Sequence, residues 1–571
     1  MKTNQLRQSI VPAVLVAAVA FSVWRWLDRP MPDAAPQPVA TFSAQPVPAP
    51  TPGLPAIHAA SDAPLVSADT APTLPEGKKA IFSKPKSVTG QALDLRAVED
   101  FNVAPQTLRG RSAELEAASF ASLNDLAEGD AVSFPSFDGV LHGVVEVAVV
   151  EENGWKRVGG PLEGNREKGW FSFGYDGREA VGLVRLHGEK LAYQISRTGS
   201  GALQMTERPL KDFLCLGMPP HIPLSKPKRR AGPVNAHIVT PILNSRLGAV
   251  AVLFMDFDGA NVNDPDWGRI NAPESPLTAV QRADVFRRVK DDFLAFNINV
   301  TTDKAKYAAA PVGSRMRCIV TTNDAAAPGS GGVAYLNSFA YAGTVFSANI
   351  PCWCFNPTVK SIADTISHEV GHTLGLNHDG QVGVAEYYLG HGTGPTSWGP
   401  IMGAPFVSSV SQWSKGEYAG ANNYEFDLEI IANSVNAFGF APDDFGDTPA
   451  TSSPIAFSGT IIDQRGVIDR IGDADVFSIT LPNGGGVLVS AAGLGNQVGN
   501  LDLRLELLDA AGTVLASNKL DKSLGAGLNV SLAKGTSYLR VRAAGDGDVD
   551  KTGYSKYGSN GAYSIAGRLP P

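Results

Sequence analysis

Four residues that could hold and use a metal ion stand together in His368-Glu369-Val370-Gly371-His372-Thr373-Leu374-Gly375-Leu376-Asn377-His378. Two histidines four apart on a helix lie one turn apart on the same face, so both imidazoles can reach a single ion. Gly375, free to adopt positive φ, ends that helix and turns the chain, which lets His378 approach the same ion from another side. Three neutral imidazoles and a water make the open tetrahedral site expected of catalytic zinc. Glu369 is not needed as a ligand, and its expected place is beside the bound water, as the proton acceptor. A chance HExxH on a structural helix is the plain alternative. It is weakened by the continuation to a glycine and a third histidine, and three of the chain's nine histidines fall in this one segment.

The elements that must position these residues follow from periodicity. Ile362, Ile366, Val370 and Leu374 give the metal helix an apolar face. Upstream, residues 249–257 read as a buried strand, and 280–294 as a helix with an apolar stripe at Val285, Val289 and Phe293. Residues 296–302 and 316–321 read as further strands. Strands alternating with helices predict an α/β domain over residues 236–440.

The extended motif resembles that of the metzincin zinc peptidases, and Asp379 directly after the third histidine is similar to the adamalysin/reprolysin branch, in its bacterial form. The resemblance covers roughly residues 236–440 and is most specific over 368–402. It implies that Trp398-Gly399-Pro400-Ile401-Met402-Gly403 is the methionine turn beneath the metal, with Met402 in that structural role. It also implies that Gly332, Val333, Ala334 and Tyr335 lie on the edge strand that takes substrate by β-addition, a plain internal strand being the alternative. No tyrosine follows Met402 closely, so an extra tyrosine ligand is not expected. His391 is either a cleft residue or a surface loop histidine.

Short Val/Leu-rich runs between Gly-rich turns mark residues 80–218 as a β-rich region, placed where secreted proteases carry a propeptide. Its cysteine, Cys215, could occupy the position of the metal-bound water, since a thiolate is a good zinc ligand. That resembles the cysteine switch of other metzincin propeptides; an inert or disulfide-bonded cysteine is the alternative. Among Cys318, Cys352 and Cys354 at most one pair can form, and Cys318 with either of the others is the expected one. The linker 219–235 carries Lys228-Arg229-Arg230, a candidate processing point.

Residues 441–571 lose the helical signal and read as a β-sandwich, and this region resembles the bacterial pre-peptidase C-terminal domain. Its acidic turns either bind Ca2+ or are simply solvated. At the other end, Lys2 and Arg7 precede an apolar run over residues 10–24, which fits a signal peptide or uncleaved anchor over 1–29, followed by a Pro/Ala-rich disordered linker over 30–79.

A net charge of −8 without a long basic run excludes nucleic acid as the main partner, and 43% hydrophobic content supports packed domains. The reading is therefore a multidomain, exported zinc-dependent endopeptidase acting on proteins or peptides, touching membrane only where the N-terminal segment stays on as an uncleaved anchor. The rival reading is an exported binding or adhesion protein whose metal domain is inactive.

Overall fold

The computed structural model describes residues 79–82, 87–93, 110–215, 220, 238–495 and 498–571. The expected signal or anchor, nearly all of the 30–79 linker, and the Lys228-Arg229-Arg230 segment lie outside them. The described residues belong to one compact unit, Leu74–Pro571. No described helix is long and apolar enough to cross a membrane.

The metal motif sits in an α/β portion built on a five-stranded sheet. Its strands are β1 (Ala251–Asp256), β2 (Ile298–Thr301), β3 (Arg315–Val320), β4 (Gly332–Val333) and β5 (Pro351–Cys354), in the order β2-β1-β3-β5-β4. All neighbours are parallel except β4, which runs antiparallel to β5 at the sheet edge. Helices α1 (Ala279–Asp292) and α2 (Val359–Thr373) pack on the sheet.

Both helices start on a reciprocal cap. Thr278 exchanges hydrogen bonds with Gln281, and Thr358 with Ser361, satisfying donors that a helix start leaves unpaired. Val285 and Val289 of α1, with Ile362, Ile366 and Val370 of α2, enter one core with Leu253, Met255 and Val300 of the sheet. The apolar stripes read from the sequence are the faces buried here, and that burial is what holds the metal helix in place.

Seven strands within residues 110–215, joined at one edge by Val88–Thr89, make an eight-stranded antiparallel sheet that shares a core with Phe120, Phe134, Phe171 and Phe173. This region docks against the α/β portion. Arg157 donates to the carbonyls of Thr344 and Val345, Arg185 to that of Asp266, and Ser172 to the Asp266 carboxylate. Leu210 and Leu214 share a core with Trp267, Val333, Tyr335 and Trp353.

Beyond residue 452 the chain forms two five-stranded sheets around one apolar core. This region is tied into the α/β portion at several points. Asn500 donates its backbone N–H to Asp291 at 3.1 Å and its side-chain amide to Asp292 at 2.5 Å. Tyr557 lies in the core of the α/β portion and donates to Glu429 at 2.7 Å.

Candidate active site

Helix α2 carries His368, Glu369 and His372, all buried. It gives way at Leu374 to Gly375, whose φ of +107° few side chains tolerate, and the reversed chain delivers His378 to the same place. Nδ1–H of His368 donates to the carbonyl of Ile401 at 2.8 Å, and Nδ1–H of His372 to that of Leu376 at 2.7 Å. Nδ1–H of His378 donates to Glu386 at 2.9 Å. Each ring thus spends its one proton outward and turns the Nε2 lone pair inward.

These lone pairs converge. Nε2 of His368 and Nε2 of His372 are 3.0 Å apart, and Nε2 of His378 is 3.3 Å from Sγ of Cys215. One donor atom from each of Cys215, His368, His372 and His378 lies within 4.8 Å of every other. Two acceptors facing each other at hydrogen-bond distance, with no proton between them, repel unless a cation is shared. Three nitrogens and a sulfur in that disposition suit zinc, which takes imidazole and thiolate ligands tetrahedrally. Burial, aided by the neighbouring His378, lowers His368 to about 3 and His372 well below the usual histidine range, so both stay neutral, as ligands must.

Glu369 completes the arrangement. Neither of its carboxylate oxygens has a hydrogen-bond partner among the described residues, although both are buried, and burial pushes the group well above the usual carboxylate range. An orphaned buried carboxyl next in sequence to a converged donor set marks a candidate functional group. It faces β4: a Cβ built on Gly332 would stand 2.6 Å from Oε1 of Glu369, so any larger residue there would displace the carboxylate.

Residues 290–379 match the family model described as metallo-peptidase family M12B, reprolysin-like. The chain carries a reprolysin-like zinc metalloendopeptidase domain. A solved structure of the pre-peptidase C-terminal domain of collagenase from Bacillus anthracis is also similar, at 13% identity over 22% of this chain and 98% of that one, with a TM-score of 0.15. No curated protein matches the chain.

Within this metallopeptidase domain, Met402 is buried under the motif: a Cβ on Gly371 would come within 2.6 Å of its Sδ, which ties the glycine of the motif to the methionine below it. Asp379 holds that turn by donating its N–H to the carbonyl of Met402 at 2.9 Å. Gly332 and Val333 form the antiparallel edge strand β4, and Ala334 and Tyr335 continue from it. The three-residue segment 213–215 lies antiparallel along that continuation. Cys215 N–H donates to the Ala334 carbonyl at 3.0 Å, and Leu336 N–H donates to the Phe213 carbonyl at 2.9 Å.

Two expectations need correcting. Cys318 is not disulfide-bonded; all four cysteines are thiols. Cys318 stands directly opposite Cys352 across β3 and β5, and burial together with that neighbour pushes it well above the usual thiol range, so the thiolate needed for oxidation is disfavoured. His391 does not line the cleft: it accepts from the Tyr388 hydroxyl at 2.8 Å and donates to the Gly553 carbonyl at 2.6 Å, bridging to the C-terminal region.

The sequence reading also missed two site residues. Glu386, which orients His378, is held below the usual range by that hydrogen bond against the upward pull of burial. Tyr387 lies with its ring centroid 4.3 Å from that of His378 and its hydroxyl 4.0 Å from Sγ of Cys215. Neither belongs to the motif spacing; only a tyrosine search extended ahead of Met402 would have found the second.

Proposed function

We propose that this chain is an exported zinc endopeptidase in which Glu369 is the general base, and that residues 80–218 are a propeptide holding it latent. The observation that carries the reading is the 3.0 Å approach of two unprotonated imidazole nitrogens beside an unpartnered buried carboxyl. When bound, zinc would polarise the scissile carbonyl and acidify the attacking water. Glu369 accepts the water proton and returns it to the leaving amine, a transfer that needs the carboxyl free of other partners. The edge that β4 begins, continued by Ala334 and Tyr335, offers backbone donors and acceptors for an extended peptide. Met402 supports the histidines from below.

Latency is supported by Cys215 lying at the histidine cluster on a strand that occupies the same edge. Export is supported by the charged and apolar pattern of the first 29 residues. Calcium is supported in the C-terminal β-sandwich by Asp443, Asp444 and Asp475, whose oxygens lie within 4.8 Å of one another, Asp475 Oδ1 being buried without a partner. An intact Glu369 speaks against an inactive binding protein, because loss of the base is the simplest way to disable such a site.

The test is digestion of a peptide library by zinc-loaded, processed protein, with mass spectrometry of the products. Cleavage abolished by a chelator and restored by zinc is the expected result. An intact library under all conditions would leave the binding-protein reading standing.

A further inference from the structure

We infer that Tyr387 is a catalytic residue: once Cys215 leaves the site, its phenol O–H donates to the anionic oxygen that develops on the scissile carbon. The inference rests on the reading that Cys215 holds the position a substrate oxygen takes in the released enzyme. Its sulfur stands in for that oxygen, and the Tyr387 hydroxyl is 4.0 Å from it. A hydrogen bond to a charged oxygen is shorter, about 2.5–2.7 Å, so the phenol must close by somewhat more than an ångström as the larger sulfur departs.

The surrounding groups define the need for such a donor. His368 and His372 have committed their ring protons to backbone carbonyls, and His378 has committed its own to Glu386. Glu369 must accept a proton at the start of the reaction, so it cannot at that moment donate one. Tyr387 brings an O–H to the side of the cluster that the Cys215 sulfur occupies.

Its ring is held against two of the histidines, stacking at 6.0 Å on His368 as well as lying against His378. The residue before it, Glu386, is bound to His378, and the residue after it, Tyr388, donates its N–H to the Asp379 carbonyl at 2.7 Å and accepts from the Ala404 N–H at 2.8 Å. A donor held on such a framework has only that closure to make, which keeps the reorganisation small. No bond to Tyr387 forms or breaks; it shares its proton with the oxyanion and keeps it when the amine leaves.

The experiment compares the parent chain (wild type below), Tyr387→Phe and Glu369→Gln, all three carrying Cys215→Ser so that the thiol does not hold the site, and all processed in the 219–235 linker. Removal of one such donor typically lowers kcat by about 10²–10³-fold. The expected result for Tyr387→Phe is a loss in that range with KM within about threefold, zinc unchanged at one per chain, and a parallel fall in affinity for a phosphinic peptide, whose tetrahedral anion resembles the intermediate. Calorimetry reads that affinity without turnover. A kcat within threefold of wild type, unchanged phosphinic affinity, or zinc lost from the variant overturns the proposal, the last by making Tyr387 a ligand. Wild type that cleaves nothing, or Glu369→Gln as active as wild type, sinks the underlying reading and this proposal with it.

Discussion

The backbone N–H of Cys215 donates to the carbonyl of Ala334 at 3.0 Å, while its sulfur lies 3.3 Å from Nε2 of His378. One residue thus both occupies the strand edge and reaches the metal ligands. The two contacts make separable demands, because Ser at 215 keeps the backbone bond and loses the thiolate. The unprocessed Cys215→Ser chain is expected to hydrolyse peptide at least about tenfold faster than the unprocessed wild type, since a hydroxyl is a far poorer zinc ligand at neutral pH. Equal latency in the two would leave only steric cover by the strand.

Glu369 tests the proton-transfer step. Glu369→Gln preserves size and leaves the three histidines alone, so zinc is expected to remain near one per chain while turnover falls by about 10²–10⁴-fold. The buried, partnerless carboxyl also predicts a gain in apo-protein stability for the amide, because an unionisable group has less to lose by burial. Undiminished hydrolysis by the variant would remove Glu369 from the reaction.

The histidines set an acid limit. Burial lowers His368 to about 3, and His372 in the same direction. Below the free value of about 6.5 the unfolded chain therefore takes up protons that the folded site refuses. Their contribution is complete above pH 6.5 and is lost as pH falls toward 3, at about 1.4 kcal/mol per pH unit for each proton. Glu369 runs the other way, its raised value costing stability as pH rises above its free range, so Glu369→Gln is the background for the measurement. In chelated Glu369→Gln protein, Tm is expected to decline on acidification below pH 6.5. Equilibrium dialysis of the loaded wild type should show zinc retained at pH 6 and lost in stronger acid. Zinc content unmoved by strong acid would speak against three imidazole ligands.

What the sequence made legible was local. The spacing from His368 to His378 is a property of one helix and the turn after it, so helical geometry alone predicts that the three rings meet. The stripes of Val285, Val289, Ile362 and Ile366 were readable for the same reason. Contacts that join distant segments were not. Ile401 receives the His368 proton across 33 residues of chain, and Asn500 reaches Asp292 across 208, and no periodicity encodes such pairs. Tyr387 escaped because its loop has no regular repeat and its tyrosine stands ahead of the methionine turn. Cys318 misled because sequence proximity to other cysteines says nothing of a buried strand pair in which burial pushes the Cys318 thiol up.

The same long-range contacts yield an alkaline limit. Asp292 is raised to about 8 and Asp291 to about 7, in both cases chiefly by burial, while the hydrogen bonds from Ser367 and Asn500 to Asp292 pull it only partly back. A carboxyl whose folded pKa lies above its unfolded value favours the fold fully below about pH 3.8, and that advantage drains away as pH rises through 7–8. Ser367, which donates to Asp292 at 2.5 Å, immediately precedes His368 on α2, so ionisation is felt where the C-terminal region meets the metal helix. Asp292→Asn removes the titration while keeping the shape. Its Tm is expected to lie below wild type at pH 5.5, where it forfeits one of the two accepted hydrogen bonds, and to close that gap or pass it by pH 9. Parallel Tm profiles for the two proteins from pH 5.5 to 9 would show that Asp292 is already ionised in the folded chain at pH 5.5, as it is in the unfolded one, and that the junction draws no pH dependence from it.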